Sequence, residues 1–213
     1  AQCQRYKLNI LGGDTVRTEG PMVWTVTIIG EVPKGTAVMR SGAQVGDVVG
    51  VTNYVGYAAT GLGALSYNLD GYDMTKIGHQ RPDPQIELGE QLRQLGVHSM
   101  NDISDGLGSE LNEIASASNV SIIVEEEAIP LHEETYALAK YLQTKPVDYA
   151  LYGGEDFQLV FTAPKSLVPK LEQLAGITLI GEVVSVSPKV QMVTMDRTIK
   201  TIEAKGYNHF HEA

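Results

Sequence analysis

The chain has 213 residues, 43% of them hydrophobic, and a formal charge of −10. That length allows one ordinary domain, or one domain plus a piece of another, with enough chain to bury a real core. So acidic a balance excludes a broad basic grip on nucleic acid or on an anionic membrane, while phosphate can still be held locally through carboxylate-bound divalent cations.

Cys3 is the only cysteine. It rules out an internal disulfide framework and fits a reducing cytoplasm. No apolar run approaches the roughly 20 residues that span a bilayer. Residues 1–7 are polar and mixed, unlike a signal peptide. With no initiator Met and an apolar run at 8–11, the chain reads as one entered in the middle of a domain.

In chain order, 7–11 is a predicted strand ending in the turn Gly12-Gly13-Asp14-Thr15. A second strand is expected over 23–29, with Trp24, Val26 and Ile28 on one side. Val32-Pro33-Lys34-Gly35 interrupts the strand pattern and is the best domain boundary, which gives domains at 1–33 and 34–213. A strand over 47–52 and a Gly- and Ala-rich helix over 56–69 follow. The stretch 70–80 reads as a polar loop. Pro84 opens a helix with Leu88, Leu92 and Leu95 on one face. The segment 102–105 precedes a helix with the stripe Leu107, Leu111 and Ile114. Then come a strand at 120–124, a helix at 133–142, a strand at 157–162, a helix carrying Leu167, Leu171 and Leu174, and strands near 178–184 and 190–194. Helices and strands alternate without strict βαβ regularity, so the fold class is α+β, with helices layered on a mixed sheet.

The chain has no Walker A sequence: 56–61 has the glycine spacing, but Leu62 stands where the lysine is needed. His209 and His211 share one face of a C-terminal strand, where solvated histidines are the ordinary reading. Three acidic segments are more informative. In Gly12-Gly13-Asp14-Thr15, paired glycines let backbone N–H groups approach a phosphate and the carboxylate can hold Mg²⁺. The plain alternative, a tight turn whose Asp bonds its own backbone, is the stronger reading of that segment alone. Asp102-Ile103-Ser104-Asp105-Gly106 runs into a helix N-terminus, which favours anions. An N-cap explains one of its polar residues but not all three. Gly153-Gly154-Glu155-Asp156 again sets glycines before carboxylates, with a hairpin turn as the alternative.

Taken together with Gly30-Glu31-Val32-Pro33-Lys34-Gly35, Arg40-Ser41-Gly42-Ala43, Arg81-Pro82-Asp83-Pro84, Tyr152-Gly153-Gly154-Glu155-Asp156-Phe157 and Gly206-Tyr207-Asn208-His209-Phe210, these segments resemble the thiamine-monophosphate kinase family, in the family's order and over nearly the whole chain. The wider superfamily contains aminoimidazole ribonucleotide synthetase and selenophosphate synthetase. The resemblance implies a C-terminal α+β domain of the aminoimidazole ribonucleotide synthetase type at 34–213, preceded by a remnant of the N-terminal ATP-binding and dimerisation domain at 1–33. It implies Mg²⁺-dependent transfer of the ATP γ-phosphoryl to thiamine phosphate, several Mg²⁺ ions, a homodimer in the full-length enzyme and a cytoplasmic location. Residue by residue, it implies nucleotide binding at Gly13, Asp14, Arg40 and Ser104, metal binding at Asp14, Asp102 and Asp105, and thiamine-phosphate binding at Glu155 and Tyr207. A carboxylate and an aromatic face both suit a cationic thiazolium. Two departures are visible: the family's preceding segment, with further metal-binding aspartates, is absent, so the site would be completed from outside this chain; and Gly56-Tyr57-Ala58 replaces a common Gly-Asp-Ser. A sister ATP-dependent synthetase and a non-catalytic thiamine-phosphate-binding domain are the rival readings.

Overall fold

The structure of the protein, a computed structural model, describes residues 2–205. It divides into two units, 1–33 and 34–213.

The first unit contains a single helical turn, α1 (Gln2–Arg5), and otherwise irregular backbone. The strands expected over 7–11 and 23–29 do not form. Their alternating pattern is real, but a strand exists through its ladder, and a lone pair of strands is marginal in water. Val23, Trp24, Val26, Ile28 and Ile29 are all highly exposed.

The second unit is built on a mixed sheet of order β2-β4-β1-β5-β3-β6-β7. In chain order the strands are β1 (Val48–Thr52), β2 (Ser99–Asp102), β3 (Val120–Glu125), β4 (Leu159–Ala163), β5 (Ile177–Val186), β6 (Lys189–Val193) and β7 (Ile199–Thr201). Only β3 and β6 run parallel among these pairs; the others are antiparallel. The helices are α2 (Tyr57–Ser66), α3 (Asp73–Gln80), α4 (Ile86–Leu95), α5 (Leu107–Ser118), α6 (Glu133–Leu142), α7 (Pro146–Tyr152) and α8 (Val168–Leu171). This is the expected α+β architecture.

Period-two alternation along the strands sends neighbouring residues to opposite faces. Val49, Val51 and Val160 join Leu107, Leu111 and Ile114 of α5 and Val147, Ala150 and Leu151 of α7 in the larger core. Val48, Phe161 and Ala163 face the other way and pack with Leu92 of α4 and Leu171 of α8. Both faces of the central strands are therefore covered, which explains why β1 is buried at every position.

The stretch 70–80, read as a loop, contains α3. Its composition is polar because little of it is buried: Thr75 is its one fully buried residue. Two contacts determine it instead. The Glu134 carboxylate accepts from Thr75 N at 2.8 Å and Thr75 Oγ1 at 2.7 Å. Gly61 and Gly78 let α2 and α3 approach so closely that a Cβ at Gly61 would strike the Thr75 carbonyl and one at Gly78 the Tyr57 ring. Helix α7 and strand β7 are too short to carry a periodic signal, and the sequence reading omits both. Among the described residues no helix is long and apolar enough to cross a membrane.

Candidate functional site

Strand β2 delivers Asp102 to its exposed end, where it pairs with Leu159 of β4. The chain then turns through Ile103, Ser104 and Asp105 to Gly106, and α5 begins. Gly106 has φ +100°, and a Cβ there would lie 2.8 Å from the Leu151 carbonyl oxygen. Only glycine satisfies both the conformation and the close approach.

The third acidic segment packs directly on this turn. Glu155 N–H donates to the Ser104 carbonyl at 2.8 Å, and Phe157 N–H to the Ile103 carbonyl at 2.9 Å. In return Ile103 N–H donates to Gln158 O at 2.7 Å. A Cβ at Gly154 would strike the Ser104 carbonyl. Segments 102–106 and 153–157, some fifty residues apart in sequence, are thus one structural unit. Glu155 is exposed and sits at φ +69°, a conformation costly for a residue with a side chain.

Asp156 faces inward. It is 4% exposed, and its carboxylate accepts from Gly56 N at 2.5 Å and Ala58 N at 2.8 Å, which ties the segment to the N-terminus of α2. Burial pushes its pKa up to about 6, against the pull of those N–H donors. The hairpin turn weighed as the alternative does not form: the segment is an anchored loop between α7 and β4.

A network runs behind the first turn. Arg40 Nε donates to Asn101 Oδ1 at 3.0 Å and pairs with Glu113 Oε2 at 3.1 Å. Asn101 Nδ2 donates to Glu110 Oε2 and, at 3.0 Å, to Glu113 Oε2. Glu110 Oε1 accepts from Asp105 N at 3.2 Å and Ser104 Oγ at 3.4 Å. Glu110 is 2% exposed. Burial first, then the neighbouring Glu113, Asp102 and Asp105 carboxylates, push its pKa up to about 7. An open pocket of about 700 Å³ adjoins this network, lined in part by Arg40, Asp105, Ser109, Asn112 and Glu113. That volume suits a small-molecule ligand.

Of the residues singled out in the sequence, Arg40, Asp102, Ser104, Asp105 and Glu155 therefore share one region. Gly13 and Asp14 lie in the first unit, in exposed irregular backbone, and Asp14 Oδ1 accepts from Thr15 N at 2.8 Å. Tyr207, His209 and His211 fall outside the described residues. Sequence reasoning missed Asn101, Glu110 and Glu113. A signal existed: Glu110 lies three residues after Leu107 and four before Ile114, so it is a carboxylate inside an apolar stripe.

The donor set bears on Mg²⁺. Among the described residues, no three His, Cys, Asp or Glu side chains converge to hold a metal ion unaided. Mg²⁺ asks for less: one or two carboxylates, with waters and substrate phosphates completing the octahedron. Asp102 and Asp105 offer hard oxygens, and the Glu110 and Glu113 carboxylates stand close behind them. That chemistry fits the ion.

Residues 44–192 match the family described as AIR synthase related protein, C-terminal domain. The chain belongs to that family. It is 39% identical to a thiamine-monophosphate kinase of Bacillus subtilis over 96% of this chain and 65% of the relative. The chain thus spans just under two thirds of that relative's length. A crystal structure of thiamine-monophosphate kinase from Stenotrophomonas maltophilia superposes with a TM-score of 0.70 at 30% identity, covering 76% of this chain and 54% of that one. A structure of AaThiL complexed with AMPPCP and TMP gives a TM-score of 0.69 at 32% identity, covering 81% and 54%. The family's fold is the one described above, a mixed sheet layered with helices.

Proposed function

We propose that this chain carries the acceptor side and part of the metal–nucleotide side of a thiamine-monophosphate kinase, which transfers the γ-phosphoryl of ATP to thiamine phosphate and yields thiamine diphosphate and ADP. One observation carries the reading. The backbone hydrogen bonds between 103–104 and 155–157 hold the carboxylate turn and Glu155 against each other. Relatives of that name, one of them solved with AMPPCP and TMP, share the fold at about one-third identity.

In this reading Asp102 and Asp105 bind Mg²⁺, Ser104 and Arg40 contact ATP, and Glu155 faces the thiazolium of thiamine phosphate. Gly13 and Asp14 add a nucleotide and metal turn, and Tyr207 a second thiamine contact. Mg²⁺, once bound, screens phosphate charge and stabilises it in the transition state. The acceptor is already an anion, so the chain need supply no strong general base. Its task is to place two polyanions in line. The Arg40 guanidinium suits phosphate oxygens, and Glu113 holds it through Nε. Glu155 attracts the acceptor's cation, so the two substrates are gripped by opposite charges on adjoining segments. A cytoplasmic homodimer in the full-length protein completes the proposal.

The test is acceptor dependence. The full-length protein with Mg-ATP is expected to form ADP and thiamine diphosphate only when thiamine phosphate is present. ATP consumption triggered by a different acceptor would overturn the assignment in favour of a sister synthetase. Thiamine-phosphate binding without turnover would make it a binding domain.

A further inference from the structure

The residues assigned above to nucleotide and metal are not independent. Arg40 through Asn101, and Ser104 and Asp105 directly, converge on one buried side chain, Glu110. Leu107, Leu111 and Ile114, its neighbours on the α5 stripe, are all 0% exposed. A carboxylate in that company is expensive to desolvate, and the three donors around it are what offset that cost.

The directions of the hydrogen bonds are what the carboxylate supplies. Arg40 can only donate, so it fixes Asn101 Oδ1 as the acceptor toward it. That leaves Nδ2 pointing at Glu110 as a donor. On the other side Asp105 N–H and the Ser104 hydroxyl also donate to Glu110. A group facing donors on both sides must accept with both oxygens. An ionised carboxylate does this, and a glutamine amide does not.

We infer that Glu110, acting through Asn101, is a positioning residue that fixes the Arg40 guanidinium and the 104–105 turn together in the geometry that receives Mg-nucleotide. The inference rests on the kinase reading of this site, and it adds a residue pair with a defined polarity.

The polarity gives a rescue test. In Glu110→Gln, the new NH₂ faces either Asn101 Nδ2 or, after a flip, Asp105 N–H, and an Asn101 flip to relieve the first turns Nδ2 against Arg40 Nε. In Asn101→Asp, two carboxylates meet. In the double variant the carboxylate introduced at position 101 accepts from Arg40 and from the amide introduced at position 110, and the site's total charge is that of the wild type, although Glu113 loses its donor from position 101 and keeps only Arg40. Affinity for Mg-AMPPCP is measured by calorimetry on the full-length protein for all four members of this cycle, with KM for each substrate. Each single variant is expected to bind Mg-AMPPCP about tenfold or more weakly, as for a lost hydrogen bond to a charged group. KM for thiamine phosphate should change less than about twofold, and the double variant should recover part of the loss, a non-additive cycle, with the bond to Glu113 left unrestored. Additive losses in the double variant, or a Glu110→Gln protein that binds Mg-AMPPCP like the wild type, would overturn the inference. Glu110→Leu is the check on folding. Assayed below its own melting temperature, which the lost hydrogen bonds are expected to lower, it should bind Mg-AMPPCP about tenfold or more weakly, whereas a purely structural Glu110 would leave that affinity unchanged. If the wild type binds Mg-AMPPCP but transfers nothing to thiamine phosphate, the kinase reading fails while the binding cycle still decides the role of Glu110.

Discussion

The turns at 12–15 and 102–106 are nearly the same object in sequence: a glycine or two, an aspartate or two and a hydroxyl. In the structure they are opposites. Asp14 bonds the next N–H along the chain, its backbone is exposed, and among the described residues no atom beyond the adjoining residues lies within 4 Å of where a Cβ would sit on Gly12 or Gly13. The 102–106 turn is held from three directions: by the β4 ladder at Asp102, by the 153–157 segment across Ser104, and by Glu110 beneath Asp105. Composition nominates a binding turn, but the surrounding fold decides whether its geometry is fixed in advance. Pre-organisation of that kind lets a metal–phosphate site form without first ordering its own backbone.

The sharpest break between the two turns should come from the ligands themselves. Asp105→Asn is expected to lower phosphoryl transfer by at least about 100-fold, the upper range seen even for groups one step removed from a metal. Thermal stability should hardly change, since Asp105 is exposed. Activity within a few-fold of wild type would remove Asp105 from the metal site.

Gly154→Ala comes next. Its Cβ has no room against the Ser104 carbonyl, so the two segments must part. A loss of about 1–3 kcal/mol in denaturant unfolding is expected, as for overpacking elsewhere. An unchanged midpoint would show that the segments are not locked together.

Asp156 contributes through pH. Its carboxyl titrates near 6 in the folded protein against 3.8 for the free group, so the folded state holds the extra proton between about pH 4 and 6. Stability from this group is therefore present below about pH 4 and is lost as pH rises through 6, by up to a few kcal/mol. Glu110, pushed up to about 7, slopes the same way over a slightly higher range. Urea unfolding at several pH values should show the decline, and Asp156→Asn should flatten its lower part. A wild-type stability that rises from pH 4 to 6 would contradict the burial argument.

The smallest expected effect falls on the first turn. Asp14→Ala should leave the unfolding free energy within about 0.5 kcal/mol of wild type, as at an exposed site with only local bonds. Any large effect should appear in nucleotide affinity alone.

The sequence made much of this legible. The 133–142 helix coincides with α6, and the strands expected over 47–52 and 120–124 correspond to β1 and β3, short apolar runs that are buried nearly throughout. Arg40, Ser104 and Asp105 were visible as residue types in a pattern. Three things were hidden, each for a physical reason. Strand patterning over 23–29 does not reveal whether a partner strand is present. Helix α3 depends on a cap from Glu134, some sixty residues away. Asn101 and Glu110 matter through hydrogen bonds that only the pairing of β2 with β4 and the docking of α5 create, although a glutamate inside the stripe 107–114 was a clue.

The proposed division of the site, with nucleotide on the 102–106 segment and thiamine phosphate on the adjoining 153–157 segment, is tested most directly by steady-state kinetics of Glu155→Gln. The expected result is a KM for thiamine phosphate raised about tenfold, the scale of one lost charge contact, with KM for Mg-ATP unchanged. Equal rises in both constants, or no change in either, would contradict the division of the site between these two segments.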